Sequence, residues 1–128
     1  MNVTGVDFVI VPTQDFERAE PFYGDVLGLE RSKRWGNMPA REFETGNLTL
    51  AVMQMDAFGQ EFKPSNQPIA LQVDDVKAAR EKLEAEGVNF VMDDIDSGVC
   101  NMAYCTDPDG NVLILHHRYA PKDAIPGT

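Results

Sequence analysis

The chain has 128 residues, 43% of them hydrophobic and 25% charged, the balance of one soluble globular domain large enough to bury a core. Its formal net charge of −10 argues against nucleic acid and anionic membrane as partners, since both need clustered Lys and Arg. No run of about 18 apolar residues is present, and Met1 to Asp7 lacks a basic segment followed by an apolar one, so no transmembrane helix and no signal peptide are expected and the expected location is the cytoplasm.

Residues Val3 to Val11 alternate loosely and are rich in Val, Ile and Phe, which predicts a first strand. Pro12-Thr13-Gln14-Asp15 ends it, and Asp15 suits the N-cap of a helix. Phe16, Ala19, Tyr23, Val26 and Leu27 then fall at helical spacing and form one apolar stripe. Pro21 lies past the first turn of a helix capped in this way, where it costs about 3 kcal/mol. A kink or a second helical piece is therefore expected, closed by Gly28. Three short strands follow around Glu30–Trp35, Ala40–Glu44 and Leu48–Met53, with turns at Gly36-Asn37 and Thr45-Gly46-Asn47. The first module thus covers 1–57, and 58–66 reads as a linker whose Phe58 and Phe62 need a cover.

The pattern then restarts. Pro68 to Val73 reads as a strand, Asp75 as an N-cap, and Val76, Ala79 and Leu83 as the apolar stripe of a second helix that Gly87 stops. Strands are expected near Val88–Met92, Asn101–Thr106 and Asn111–His117. Before the last lies Asp107-Pro108-Asp109-Gly110, a turn in which proline presets φ and glycine accepts φ > 0. The second module covers 67–119, and 120–128 is a surface tail. Asp75 minus Asp15 is 60, and the same shift pairs Val9 with Ile69, Val11 with Leu71, Phe16 with Val76, Ala19 with Ala79 and Tyr23 with Leu83. The order strand–helix–strand–strand–strand occurs twice. The expected fold is therefore α+β, a single domain of two tandem βαβββ modules forming concave mixed sheets, each with a helix on one face and the other in need of a cover. Cys100 and Cys105 fall on one strand, roughly 16 Å apart and on opposite faces, too far to bridge. They read as reduced thiols.

The segments Asp15-Phe16-Glu17-Arg18-Ala19, Phe22-Tyr23, Val26-Leu27-Gly28-Leu29, Ile69 to Val76 and the closing Asp107-Pro108-Asp109-Gly110-Asn111, in this order and across essentially the whole chain, resemble the vicinal oxygen chelate superfamily of glyoxalases, bleomycin resistance proteins and extradiol dioxygenases. The resemblance implies four metal-ligand positions. They fall on Phe8, Ala51 (with Thr49 as the off-register alternative), Pro68 and Ile114. Phe, Ala, Pro and Ile offer no side-chain donor to a divalent cation, so no metal and no cofactor are expected. The chain is then similar to the bleomycin-resistance members, which keep the fold, dimerise and sequester a ligand between subunits. The expected function is binding of a small organic ligand, cationic or aromatic in character, by a homodimer and without turnover, as in antibiotic resistance. An enzyme of the same superfamily (a lyase, isomerase or dioxygenase relative), using a displaced metal site or His116 as general base, is the alternative. A third reading is an interaction protein whose cavity is filled by its own side chains.

Strand parity extends the ligand-equivalent positions to a list, because residues two apart on a strand share a face. Phe8, Ile10, Thr49, Ala51, Met53, Pro68, Ala70, Gln72, Val112, Ile114 and His116 are expected on the concave side. Val9, Val11, Leu50, Leu71, Leu113 and Leu115 pack under the helices. Trp35, Met38, Phe43, Met102 and Tyr104 are expected at the rim as stacking surface. Each has a plainer reading: Trp35 as packing or a dimer contact, the methionines as core filler, His116 as a hydrogen-bonded pocket-edge residue. His116 and His117 point to opposite sides and cannot chelate one ion together. Ser65, Ser97 and Cys105 lack the neighbours that would make a nucleophile.

Overall fold

The computed structural model describes residues 1–123; residues 124–128 of the expected tail lie outside them. The chain divides into two compact units, residues 1–65 and residue 66 onward. Each is built as one βαβββ module with a mixed sheet.

In the first unit β1 (Val9–Thr13) leads to α1 (Phe16–Pro21), then come β2 (Glu30–Arg34), β3 (Ala40–Glu44) and β4 (Thr49–Gln54). The strand order is β1-β4-β3-β2, with β1 parallel to β4 and the other neighbours antiparallel. The first strand corrects the expectation of Val3–Val11 ended by Pro12. It runs through Pro12, and no strand is formed by residues 3–8. The reason is position, since β1 is an edge strand of its sheet and an edge can carry a residue without an N–H. Thr13, fully buried, closes the strand by accepting the Asp15 N–H on Oγ1 at 3.0 Å.

Asp15 caps α1 through the Arg18 N–H at 3.3 Å. As the proline predicts, the helix stops at Pro21 and a five-residue π-helical turn, Phe22–Val26, continues it. The Leu27 N–H reaches back to the Phe22 carbonyl at 2.9 Å and the Leu29 N–H to the Tyr23 carbonyl at 3.1 Å. Gly28 makes this closure possible at φ +73°. Phe16, Ala19, Phe22 and Tyr23 are buried on the helix side of the sheet with Val11, Leu50, Val52 and Phe43. Phe43 corrects another expectation: its ring lies 6.0 Å from that of Tyr23, because it stands opposite Leu50 in register and shares that residue's helix-covered face.

The second unit runs β5 (Ile69–Gln72), α2 (Val76–Ala85), β6 (Asn89–Phe90), β7 (Ile95–Asp96), β8 (Cys100–Thr106) and β9 (Val112–Arg118). Its order is β5-β9-β8-β6, with β7 also paired to β8 and β5 parallel to β9. Asp75 caps α2 through the Ala78 N–H at 3.0 Å, and Gly87 ends it at φ +87°. The strand expected over Val88–Met92 shrinks to two residues. Val91 and Met92 are exposed; the Val91 N–H still reaches the Tyr104 carbonyl at 3.0 Å, and the edge resumes at β7. Leu113, Leu115, Ala103 and Cys105 are buried on the side of α2 residues Val76 and Leu83. Both cysteines are free and buried. Among the described residues no helix is long and apolar enough to cross a membrane.

Candidate functional site

Cross-strand partners share a face, so the register assembles the helix-free side of the first sheet row by row. Ile10 pairs with Ala51 and Ala51 with Glu42; Pro12 pairs with Met53 and Met53 with Ala40; Thr49 pairs with Glu44. Ile10, Thr49, Ala51 and Met53 therefore lie on one face with two carboxylates. Glu42 and Glu44 were absent from the sequence expectations. The signal that finds them is parity along β3 counted from Phe43, which only the register with β4 anchors.

This face has a cover of its own. Trp35, Met55 and Phe58 pack on Ala40, Ala51 and Met53, and Ala51 retains no exposed surface. The indole of Trp35 is the centre of the group. The Phe8 ring meets it edge-on at 5.5 Å between centroids and 75°, and the Phe58 ring at 6.1 Å and 88°, the geometry that aromatic quadrupoles favour. The Trp35 Nε1–H donates to Glu42 Oε2 at 2.6 Å. Glu44 accepts from Ser32 Oγ at 2.5 Å and Thr49 Oγ1 at 2.6 Å. These two hydroxyl donors, Ser32 first, hold its carboxyl below the usual glutamate range. Met38 does not join the cluster. It sits exposed in the turn between β2 and β3, its carbonyl accepting from Arg34 at 3.2 Å.

On the second sheet, Ala70 pairs with Ile114 and Ile114 with Tyr104, while Gln72 pairs with His116 and His116 with Met102. These six residues, with Val112 two positions before Ile114, share the face away from α2. Ile114 is buried, His116, Met102 and Tyr104 are half-buried, and Ala70 and Gln72 are exposed. Pro68, exposed, comes just before β5. His117 points to the other face, where its Nδ1 lies 3.2 Å from the Val73 carbonyl. The ring then donates from Nδ1 and keeps Nε2 as acceptor when neutral.

The donor set does not fit a divalent metal at the four positions the resemblance implies, since Phe8, Ala51, Pro68 and Ile114 present only carbon. Glu42 stands directly across from Ala51 and brings a carboxylate one strand over, but among the described residues no group of three His, Cys, Asp or Glu side chains is placed to hold an ion. Burial pushes the Cys105 thiol up to about 11, so it carries no thiolate at neutral pH. Two surface clefts lie elsewhere: one beside Asp15, Glu17 and Gln54, the other beside Asp74, Asp75 and His117. Both sit at the start of a helix, away from the sheet faces just described.

Comparison with solved structures finds the same fold repeatedly. A putative glyoxalase family protein from Bacillus anthracis superposes with a TM-score of 0.75 at 22% identity, covering 92% of this chain and 98% of that one. A lactoylglutathione lyase from Agrobacterium tumefaciens gives 0.73 at 18% identity, covering 91% and 96%. An integron cassette protein from the mobile metagenome of V. cholerae gives 0.69 at 23% identity, covering 94% and 98%. At these identities the likeness is one of fold. The family model described as the glyoxalase/bleomycin resistance protein/dioxygenase superfamily matches residues 5–115. With nearly the whole chain matched and the twofold βαβββ order in place, the chain belongs to that superfamily.

Proposed function

We propose that this protein binds a small organic molecule without transforming it, in the manner of the bleomycin-resistance members of its superfamily, and that the ligand stacks on the aromatic group of the first sheet. The observation that carries this reading is the aromatic cluster of Phe8, Trp35 and Phe58, whose Trp35 and Phe58 pack on the group of Ala40, Ala51 and Met53. The resemblance puts a metal-binding carboxylate at that position in the metalloenzymes. Here a methyl group stands there, in the apolar group that Trp35, Met55 and Phe58 cover, where a flat apolar molecule finds rings to stack on and few groups to react with. The helix-free face of the second sheet, with Ile114, Tyr104, Met102 and His116, has the same apolar character. The reading includes a homodimer and no metal.

A thermal-shift screen of antibiotics and aromatic metabolites tests it. A ligand present at 100 times its dissociation constant adds about 2.7 kcal/mol of stability, or roughly 10 °C in Tm. Trp35→Leu is expected to abolish the shift, and mass spectrometry of the recovered ligand is expected to return it unchanged. Conversion of the bound compound, lost in His116→Ala, would overturn the reading in favour of an enzyme.

A further inference from the structure

We propose that Glu42 is the specificity-determining residue of the aromatic face, selecting a planar organic cation over a neutral ring of the same shape. The proposal rests on the ligand-binding reading above and names the class of ligand. Three observations meet at this residue.

The first is the Trp35 contact. An indole N–H is a neutral donor, so the 2.6 Å bond to Glu42 Oε2 orients the ring without supplying a counter-charge. Among the described residues no second side-chain partner holds the Glu42 carboxylate. The second is a segregation of charge across the sheet. Arg31 pairs in register with Phe43, and Arg41 with Val52, which puts both guanidinium groups on the helix side. There they turn to Glu20, Arg31 at 2.8 Å and Arg41 at 3.3 Å. Glu42 and Glu44 stand on the other face, joined by Glu30 opposite Glu44. Among the described residues no cation of the chain pairs with either of the first two. The cations of these strands gather on the helix side, where Arg34 also lies over Phe16; the carboxylates of Glu42 and Glu44 stand on the aromatic side.

The third is placement. Glu42 is the cross-strand partner of Ala51, Trp35 packs on the group that Ala51 forms with Ala40 and Met53, and the indole N–H touches the Glu42 carboxylate itself. A ligand ring that contacts the indole is therefore placed beside that carboxylate. A positive charge on that ring gains both from the aromatic faces and from the carboxylate. A neutral ring gains only the stacking. Glu44 differs in kind, since Ser32 and Thr49 already occupy its oxygens.

The test is equilibrium dialysis of the full chain at near-neutral pH and low ionic strength with two probes, N-methylquinolinium and uncharged quinoline. Wild type is expected to bind the cation about tenfold more tightly. Glu42→Gln keeps an oxygen for the indole N–H, so the emission of the single tryptophan should stay put. Its preference for the cation should fall to less than about twofold, with quinoline binding unchanged. Trp35→Leu should weaken both probes. Equal affinity for both probes in wild type, lost in Trp35→Leu, would overturn the role of Glu42 while leaving the binding reading standing. A preference that survives Glu42→Gln would overturn it equally. No binding of either probe would overturn both.

Discussion

Asp107 accepts hydrogen bonds on both carboxylate oxygens inside one five-residue turn. Its Oδ1 takes the Asp109 and Asn111 N–H groups at 2.9 Å each, and its Oδ2 takes the Asn111 amide at 2.7 Å. All three side chains are buried, and Gly110 turns the chain at φ +88°. Removing the acceptor strands buried donors, so Asp107→Ala is expected to cost about 3 kcal/mol in urea unfolding. The turn was readable because its chemistry is local: Asp, Pro and Gly act on neighbours in sequence. Glu44 was not, because its partners Ser32 and Thr49 come from other strands. It carries its own prediction. A carboxylate whose pKa is depressed in the fold adds stability above its unfolded pKa and loses it as pH falls through the folded value. Thr49→Val should raise the Glu44 pKa toward the ordinary value, read by NMR titration of its side-chain carboxyl. An unmoved titration would mean that this hydroxyl does not set it.

At the scale of elements, the two helices were legible in outline and one strand was not. Asp15 and Asp75 cap as their spacing suggests, and Pro21 divides the first helix as its missing N–H requires. The first strand ran later than its alternation suggested, since a strand begins where a partner is available and β4 offers register only from Leu50. The edge after α2 thinned to two pairs of residues although β8 runs on unbroken beside it. Trp35 belongs here too. It packs on the group of Ala40, Ala51 and Met53 just after the β2–β3 irregularity between Arg31 and Arg34, which no periodicity in the sequence announces. For the caps the expectation is numerical. Asp75→Ala removes the acceptor of the Ala78 N–H and should cost about 1 kcal/mol, whereas Asp75→Ser should restore most of it. Matching denaturation midpoints for the wild type and Asp75→Ala would show that α2 is held by packing alone.

For the molecule as a whole, the repeat at a spacing of 60 was the decisive reading, because two half-sheets of one pattern constrain the fold more than any single motif. What the repeat leaves open is what covers the outer edge of the first. Val3, Val6, Phe8, Val9 and Ile10 are all exposed within one ten-residue stretch, Ile10 by 44%, and β1 ends its sheet. The opposite edge, β2, is protected differently: Glu-Arg-Ser-Lys-Arg is charged and irregular, as edges that avoid pairing are. An edge apolar in its first half, with Pro12 interrupting only its later part, on one side and a charged one on the other is the asymmetry expected when a second copy covers the first. Sedimentation equilibrium should therefore give twice the chain mass at micromolar concentration. Ile10→Glu, which places a charge on that edge and leaves the helix-side core untouched, should shift the distribution to the monomer. A monomer in wild type would remove the dimer from the proposal, while the aromatic face over Ala51, built within one unit, would remain to be tested by its ligands.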